Sequence, residues 1–269
     1  MDNDLFMDWS ADPSVVVGVG LACFAYTFSA RRLASSGDAP GRGRVLLFAA
    51  AVAVVLVALT SPLHVLSERY LFTAHMAQHL LLTMAMPPLL LASLTPGMIR
   101  PLLRLRWVRA VARRVTAPVP AFLGANLVFL IWHLPQLYDA ALRGHNIHIV
   151  SHLLFMSTAI VLWWPLLSPT PELPRIGYAA RMLYVFAQVL PGMFVGGMLV
   201  NAQNPLYALY AEAPRITSLS PVQDQQMGAL LMWVGGGVFW LIVLTVVFFA
   251  WAGPDISRTY GPPVQLRRR

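Results

Sequence analysis

Two histidine pairs in this chain have the spacing that puts both side chains on one face of a helix. They are His75 with His79, and His148 with His152, each separated by four residues. At ~100° per residue such partners lie ~40° apart around the helix axis. Imidazole is a common metal ligand and is costly to leave unpaired in apolar surroundings. His133 stands in Trp132-His133-Leu134-Pro135, His145 precedes His148 by three residues, and His64 follows Ser61-Pro62. Two facing pairs resemble the way helical bundles build metal sites from inward side chains. A single buried histidine more often joins helices by a hydrogen bond. The set as a whole points to a metal or haem site.

The elements that would carry these residues are apolar. The chain has 269 residues, of which 58% are hydrophobic and 11% charged, whereas soluble domains carry about 25% charged residues. It therefore reads as an integral membrane protein. A hydrocarbon core of ~30 Å needs ~20 apolar residues per helix. The segments 14–30, 45–61, 71–94, 118–134, 147–167, 179–200 and 226–251 meet that need. The expected fold is all-α and polytopic, with seven transmembrane helices in one membrane domain spanning 14–251. Pro87-Pro88 and Pro191-Gly192 predict kinks in the third and sixth spans. In the third span His79 falls ~12 Å below the helix start.

All 19 basic residues are arginine, and their placement predicts orientation. Sixteen fall in the connections after spans one, three and five and in the C-terminal tail, whereas Arg69, Arg143 and Arg215 fall on the other side with eight of the 11 acidic residues. The N-terminus (1–13) is expected outside and the basic tail (252–269) in the cytoplasm. All the histidines then collect toward the outer ends of the helices. The net charge of +8 is read as topology signal and lipid contact rather than nucleic-acid binding. The arginine-rich stretch 100–114 could form an amphipathic helix at the interface, with Trp107 at the boundary. Cys23 is the single cysteine, which excludes disulfides and Cys-x-x-Cys chemistry. The acidic N-terminus lacks the pattern of a cleavable signal.

Five histidines form the candidate metal set: His75, His79, His133, His148 and His152. His145 reads as a gate and His64 as a bystander in an outer loop. Imidazole with thioether favours copper, particularly Cu(I). Met76, Met86, Met156, Met193, Met198 and Met227 are near enough in sequence to contribute, although methionine is also routine packing. Asp139 and Asp224 are candidate acceptors for the second ring nitrogen of a metal-bound histidine, or simple cap residues. Gln188 could bond a neighbouring helix, and Asn201 could be a cap. A zinc protease needs Glu directly after the first histidine of its helix motif, where this chain has Met76 or Ile149. No nucleophilic triad, phosphate loop or carboxylate pair is present, so a non-enzymatic role is expected. Two alternatives remain open: a b-type haem electron carrier with axial histidines from spans three and five, and a metal permease using the broken helices.

Three blocks carry a family resemblance. His75-Met76-Ala77-Gln78-His79-Leu80-Leu81-Leu82 leads into Pro87-Pro88-Leu89-Leu90. Trp132 through Leu142 is followed by His148, His152 and Trp163-Trp164-Pro165, and Asp224-Gln225-Gln226-Met227-Gly228 leads to Met232-Trp233. Together they resemble the seven-span cytochrome c oxidase assembly factors called CtaG. The resemblance implies a multi-pass protein of the bacterial inner membrane that serves a haem-copper oxidase subunit. Taken with the histidines, it implies copper received from an extracytoplasmic donor and passed to that subunit.

Overall fold

The computed structural model describes residues 9, 12–35, 37–173 and 175–259, with side chains as far as residue 253. Asp2, Asp4, Asp8 and the basic tail from residue 260 onward, which entered the orientation argument, lie outside the described residues. Every regular element among those described is helical.

Proline sets several of the boundaries. α1 (Pro13–Arg32) starts where Asp12 accepts the backbone N–H of Ser14 and Pro13 occupies the first helical position. After α2 (Arg42–Thr60), the Ser61 hydroxyl accepts the N–H of Leu63, and Pro62 opens α3 (Pro62–Arg69). The stretch expected as an outer loop is therefore a two-turn helix, because Ser-Pro is a complete start signal.

The third span is one path made of α4 (Phe72–Leu80), a π-helical turn (Leu81–Ala85) and α5 (Met86–Ser93). Pro87 and Pro88 have no N–H to give the carbonyls of Thr83 and Met84. The chain widens just before them, and Met86 N–H reaches back to Leu81 O. The carbonyl of Thr83 takes the indole N–H of Trp163 instead, at 3.2 Å. The expected kink is thus a π turn lying one turn ahead of the prolines.

α6 (Pro96–Leu103) and α7 (Arg106–Val115) lead to α8 (Pro118–Trp132), which meets α7 at 72°. α7 is the helix expected over the arginine-rich stretch, with Trp107 exposed. α8 is the expected fourth span, but its 15 residues reach only ~22 Å. Among the described residues, six helices are long and apolar enough to cross a membrane by themselves, and the number becomes seven only when the bent pair counts as one span. Pro118 and the Leu134-Pro135 turn confine α8 to this length.

α9 (Pro135–Arg143) and α10 (His145–Leu167) follow. The sixth span is α11 (Tyr178–Ala187) and α12 (Val189–Asn201), interrupted at Gln188. Pro191 cannot bond the carbonyl of Ala187, so the break again precedes the proline. At the end of α12, Asn201 donates to Gly197 O one turn back. A short α13 (Ala208–Glu212) precedes α14 (Pro221–Leu230), a second π turn (Leu231–Gly235) and α15 (Gly236–Thr259).

α4 and α14 approach closely at Gly228, where a Cβ would lie 2.4 Å from the ring of Phe72. Phe72, Met76, Tyr138, Leu199, Tyr207 and Tyr210 form the core beside that crossing. A second core gathers Leu91, Trp163, Tyr184 and Trp240. Outward faces carry Leu21, Phe24, Leu183, Phe194, Leu241 and Phe249 exposed, as lipid contact requires. At one end Arg100 bridges Asp38 (3.0 Å) and Glu172 (2.9 Å), tying three connections together. At the other end His145 meets Asp12 (3.2 Å) and Arg143 meets Glu212 (3.1 Å).

Candidate metal centre

The histidines of α4 and α10 face each other. The rings of His79 and His152 are 5.8 Å apart, and those of His75 and His148 are 6.4 Å apart. Within α4, His75 stacks on His79 at 4.5 Å. Within α10, His148 Nε2 lies 2.6 Å from His152 Nε2. His75, His133, His148 and His152 are all buried.

Hydrogen bonds fix the tautomers of two of these rings. His133 Nδ1 lies 2.7 Å from the carbonyl of Phe129. A carbonyl only accepts, so Nδ1 carries the proton and Nε2 a lone pair. That Nε2 is buried without a partner. Tyr210 donates its single hydroxyl proton to Ser67 O at 2.5 Å and sits 3.0 Å from His75 Nδ1. His75 must then donate from Nδ1, which leaves its Nε2 lone pair free. A ring N–H given to a carbonyl or hydroxyl is how metal-bound histidines are commonly oriented.

Between these rings is a void of about 10 Å³ whose walls include His75, His79, His133 and His148. Space of that order accepts one small occupant. A larger cavity of about 110 Å³ lies deeper and shares His79 and His133 with it. Among the described residues, no group of three or more His, Cys, Asp or Glu side chains is arranged to hold a metal ion. His75 and His79 stack face to face, and His148 and His152 spend their Nε2 atoms on each other, so the nitrogens do not converge on a common point.

His64 is not set apart from the cluster. It accepts from Gln78 Nε2 at Nδ1 (2.9 Å), and its Nε2 meets Glu68 at 3.2 Å. Glu68 also meets His148 Nε2 at 2.9 Å. Burial raises the Glu68 carboxyl, but the hydrogen bond from His148 and the nearby His64 outweigh it and hold the group below the usual carboxylate range. Sequence reasoning missed Glu68 as a partner of the histidines. The signal was His64-x-x-x-Glu68 behind a Ser-Pro helix start.

The other expected participants fall elsewhere. Asp224 accepts from Phe72 N (2.7 Å), Thr73 N (3.1 Å) and Thr73 Oγ1 (2.7 Å). Asp139 accepts from Ala208 N and Leu209 N. Both carboxylates cap backbone. Gln188 accepts from Asn126 at 3.2 Å, joining the sixth span to α8. Met76 and Met86 are buried, while Met193, Met198 and Met227 are exposed. Met156 lines a cleft of about 330 Å³ between α1 and α10, together with His148 and His152.

The family model for cytochrome c oxidase caa3 assembly factor (Caa3_CtaG) matches residues 24–253. An uncharacterized protein of Mycobacterium leprae is 22% identical over 262 residues, covering 90% of this chain and 38% of that protein. An uncharacterized protein of Mycobacterium bovis is 24% identical over 205 residues, covering 69% of this chain and 30% of its own length. The chain thus spans less than two fifths of these curated relatives. No solved structure matches it.

Proposed function

This chain belongs to the cytochrome c oxidase caa3 assembly factor family, and we propose that it serves assembly by holding copper at the α4–α10 histidines and passing it to an oxidase subunit. The reading rests on the void lined by four imidazoles, of which His75 and His133 present lone pairs from rings already oriented by a second hydrogen bond. Imidazole suits copper, and thioether beside it, such as that of the buried Met76, favours Cu(I). His79 and His152 would have to turn about their side-chain torsions to join His75 and His133, since no three of these side chains converge as they stand. The arginine distribution orients the N-terminus outward and the histidine end toward the outer face of the bacterial inner membrane. Copper then arrives from an extracytoplasmic donor. The role is carriage and transfer rather than catalysis.

The test is copper analysis and an absorption spectrum on the full chain purified in detergent. The reading expects about one or two coppers per chain and no Soret band. A Soret band with no copper would overturn it in favour of a haem protein.

A further inference from the structure

The larger cavity near the histidines, of about 110 Å³, is bordered by α4, α8, α10, α12 and α15. Its wall extends well beyond His79 and His133. Asn126 in that wall stands seven residues before His133, which is ~10 Å along α8. Trp233, Trp240, Gly192 and Gly237 also line it. A Cβ on Gly192 or Gly237 would meet nothing within 4 Å, so the space is left open by side chains that are missing there. A protein cavity of ~150 Å³ takes one benzene ring, and this one is of that order.

One polar group on this wall is left over. Gln188 is 6% exposed, and its Nε2 is buried with no hydrogen-bond partner. Its Oε1 is already taken by Asn126 Nδ2 at 3.2 Å, and the same Nδ2 is 2.8 Å from Phe122 O. The hydroxyls of Thr83 and Thr158, which also border the cavity, donate within their own helices to His79 O and Leu154 O, each at 2.7 Å. A buried amide N–H needs an acceptor. With no acceptor supplied by the surrounding protein, the adjoining cavity is the place left for one.

We propose that this cavity binds the ring of a lipid-soluble carbonyl compound, the chemistry of a quinone, with a ring carbonyl accepting from Gln188 Nε2. Trp233 and Trp240 give the ring flat apolar walls. Leu127 beside Asn126 and Leu190 beside Pro191 are exposed on the outward faces of α8 and α12, so an alkyl tail leads from the ring into lipid. Ordered water needs about 2–4 polar partners, and the threonines here are spent. An acyl chain has no acceptor to offer the amide. A carbonyl on an apolar ring meets both demands. Neither Gln188 nor the two indoles belong to the copper-handling set, so the two sites can be tested apart.

The experiment titrates decylubiquinone into the metal-free full chain in detergent and reads quenching of tryptophan fluorescence. Wild type should quench saturably, and decylbenzene, which has the ring and tail without carbonyls, should not compete. Gln188→Met removes the donor and should raise the half-saturating concentration at least tenfold. Gly192→Leu fills the cavity and should abolish the saturable phase while leaving Gln188 in place. Elution volume and helical circular dichroism establish that both variants are folded. Quenching of wild type that only rises linearly, as for partition into the micelle, would overturn the site. Equal competition by decylbenzene with unchanged binding to Gln188→Met would overturn it too, making the cavity a slot for an acyl chain. Wild-type binding by Gly192→Leu would place the quinone elsewhere and likewise refute it.

Discussion

The Nε2 atoms of His148 and His152 lie 2.6 Å apart, one turn along α10, and the ring of His79 faces the second of them at 5.8 Å. His79 and His152 therefore stand where α4 and α10 would share one metal ion. His79→Ala and His152→Ala should each lower bound copper at least tenfold and reduce oxidase maturation. His64→Ala should leave the final copper content unchanged. Copper per chain and oxidase activity in membranes read the two effects, and unchanged content in both α4 and α10 variants would sink the assignment.

Tyr210 orients His75 by taking its Nδ1–H. Tyr210→Phe removes that acceptor while preserving ring packing. Loss of such an orienting partner commonly weakens metal affinity by about 10–100-fold. A competitive Cu(I) titration should show a loss in that range without loss of helical content.

Asp224 holds the start of α4 through two backbone N–H groups and one hydroxyl. It is fully buried. Asp224→Ala strands those donors, and each unsatisfied buried group costs about 1–3 kcal/mol. Thermal unfolding in detergent should show a large drop in Tm, and Asp224→Asn a smaller one.

Gly228 leaves room for Phe72 where α4 crosses α14. Gly228→Val should destabilise the fold by about 1–3 kcal/mol, the usual cost of overpacking. The same unfolding assay reads this. Restoration by Phe72→Leu in the double variant would locate the clash at this crossing.

At the opposite end, Glu172 is held at about 2, first by the Thr170 hydroxyl and then by the Arg100 guanidinium. A depressed carboxyl contributes stability above its ordinary value near 4.5, and that contribution fades as pH falls through about 2. Arg100→Ala should raise the apparent pKa of Glu172 toward its ordinary value. The effect on stability should be small, because the pair is exposed and screened. An NMR pH titration of the labelled carboxyl would detect the shift.

Much of this arrangement was legible in the chain. The positions of the long apolar helices followed from hydropathy, and the facing of the two histidine pairs followed from their four-residue spacing. The bends were legible as prolines but misplaced by about a turn, because a missing N–H acts on the carbonyl four residues earlier. α8 looked like a full span because the run 118–134 reaches the lower limit of length on paper, whereas the helix stops at Trp132 ahead of the Leu134-Pro135 turn. Asp224 and Asp139 could not be sorted between histidine and backbone partners from sequence. Their contacts join residues 152 and 69 positions apart, and no local pattern encodes such pairings. Glu68 was hidden by a different error, the reading of Ser61-Pro62 as a loop rather than a helix start.

The π turn at Leu81–Ala85 makes the third span a screw whose thread is offset partway along. One residue beyond an α turn advances everything that follows by ~100°. His75 and His79 can thus be aimed at α10 while Leu91, below the offset, packs in the core with Trp163. Removing one residue between 81 and 85 would take out the extra residue of the π turn and leave every histidine of α4 and α10 in the chain. The two imidazoles would nonetheless be dialled away from His148 and His152. Length within this turn is accordingly a coordinate of the site, as much as the identity of its ligands.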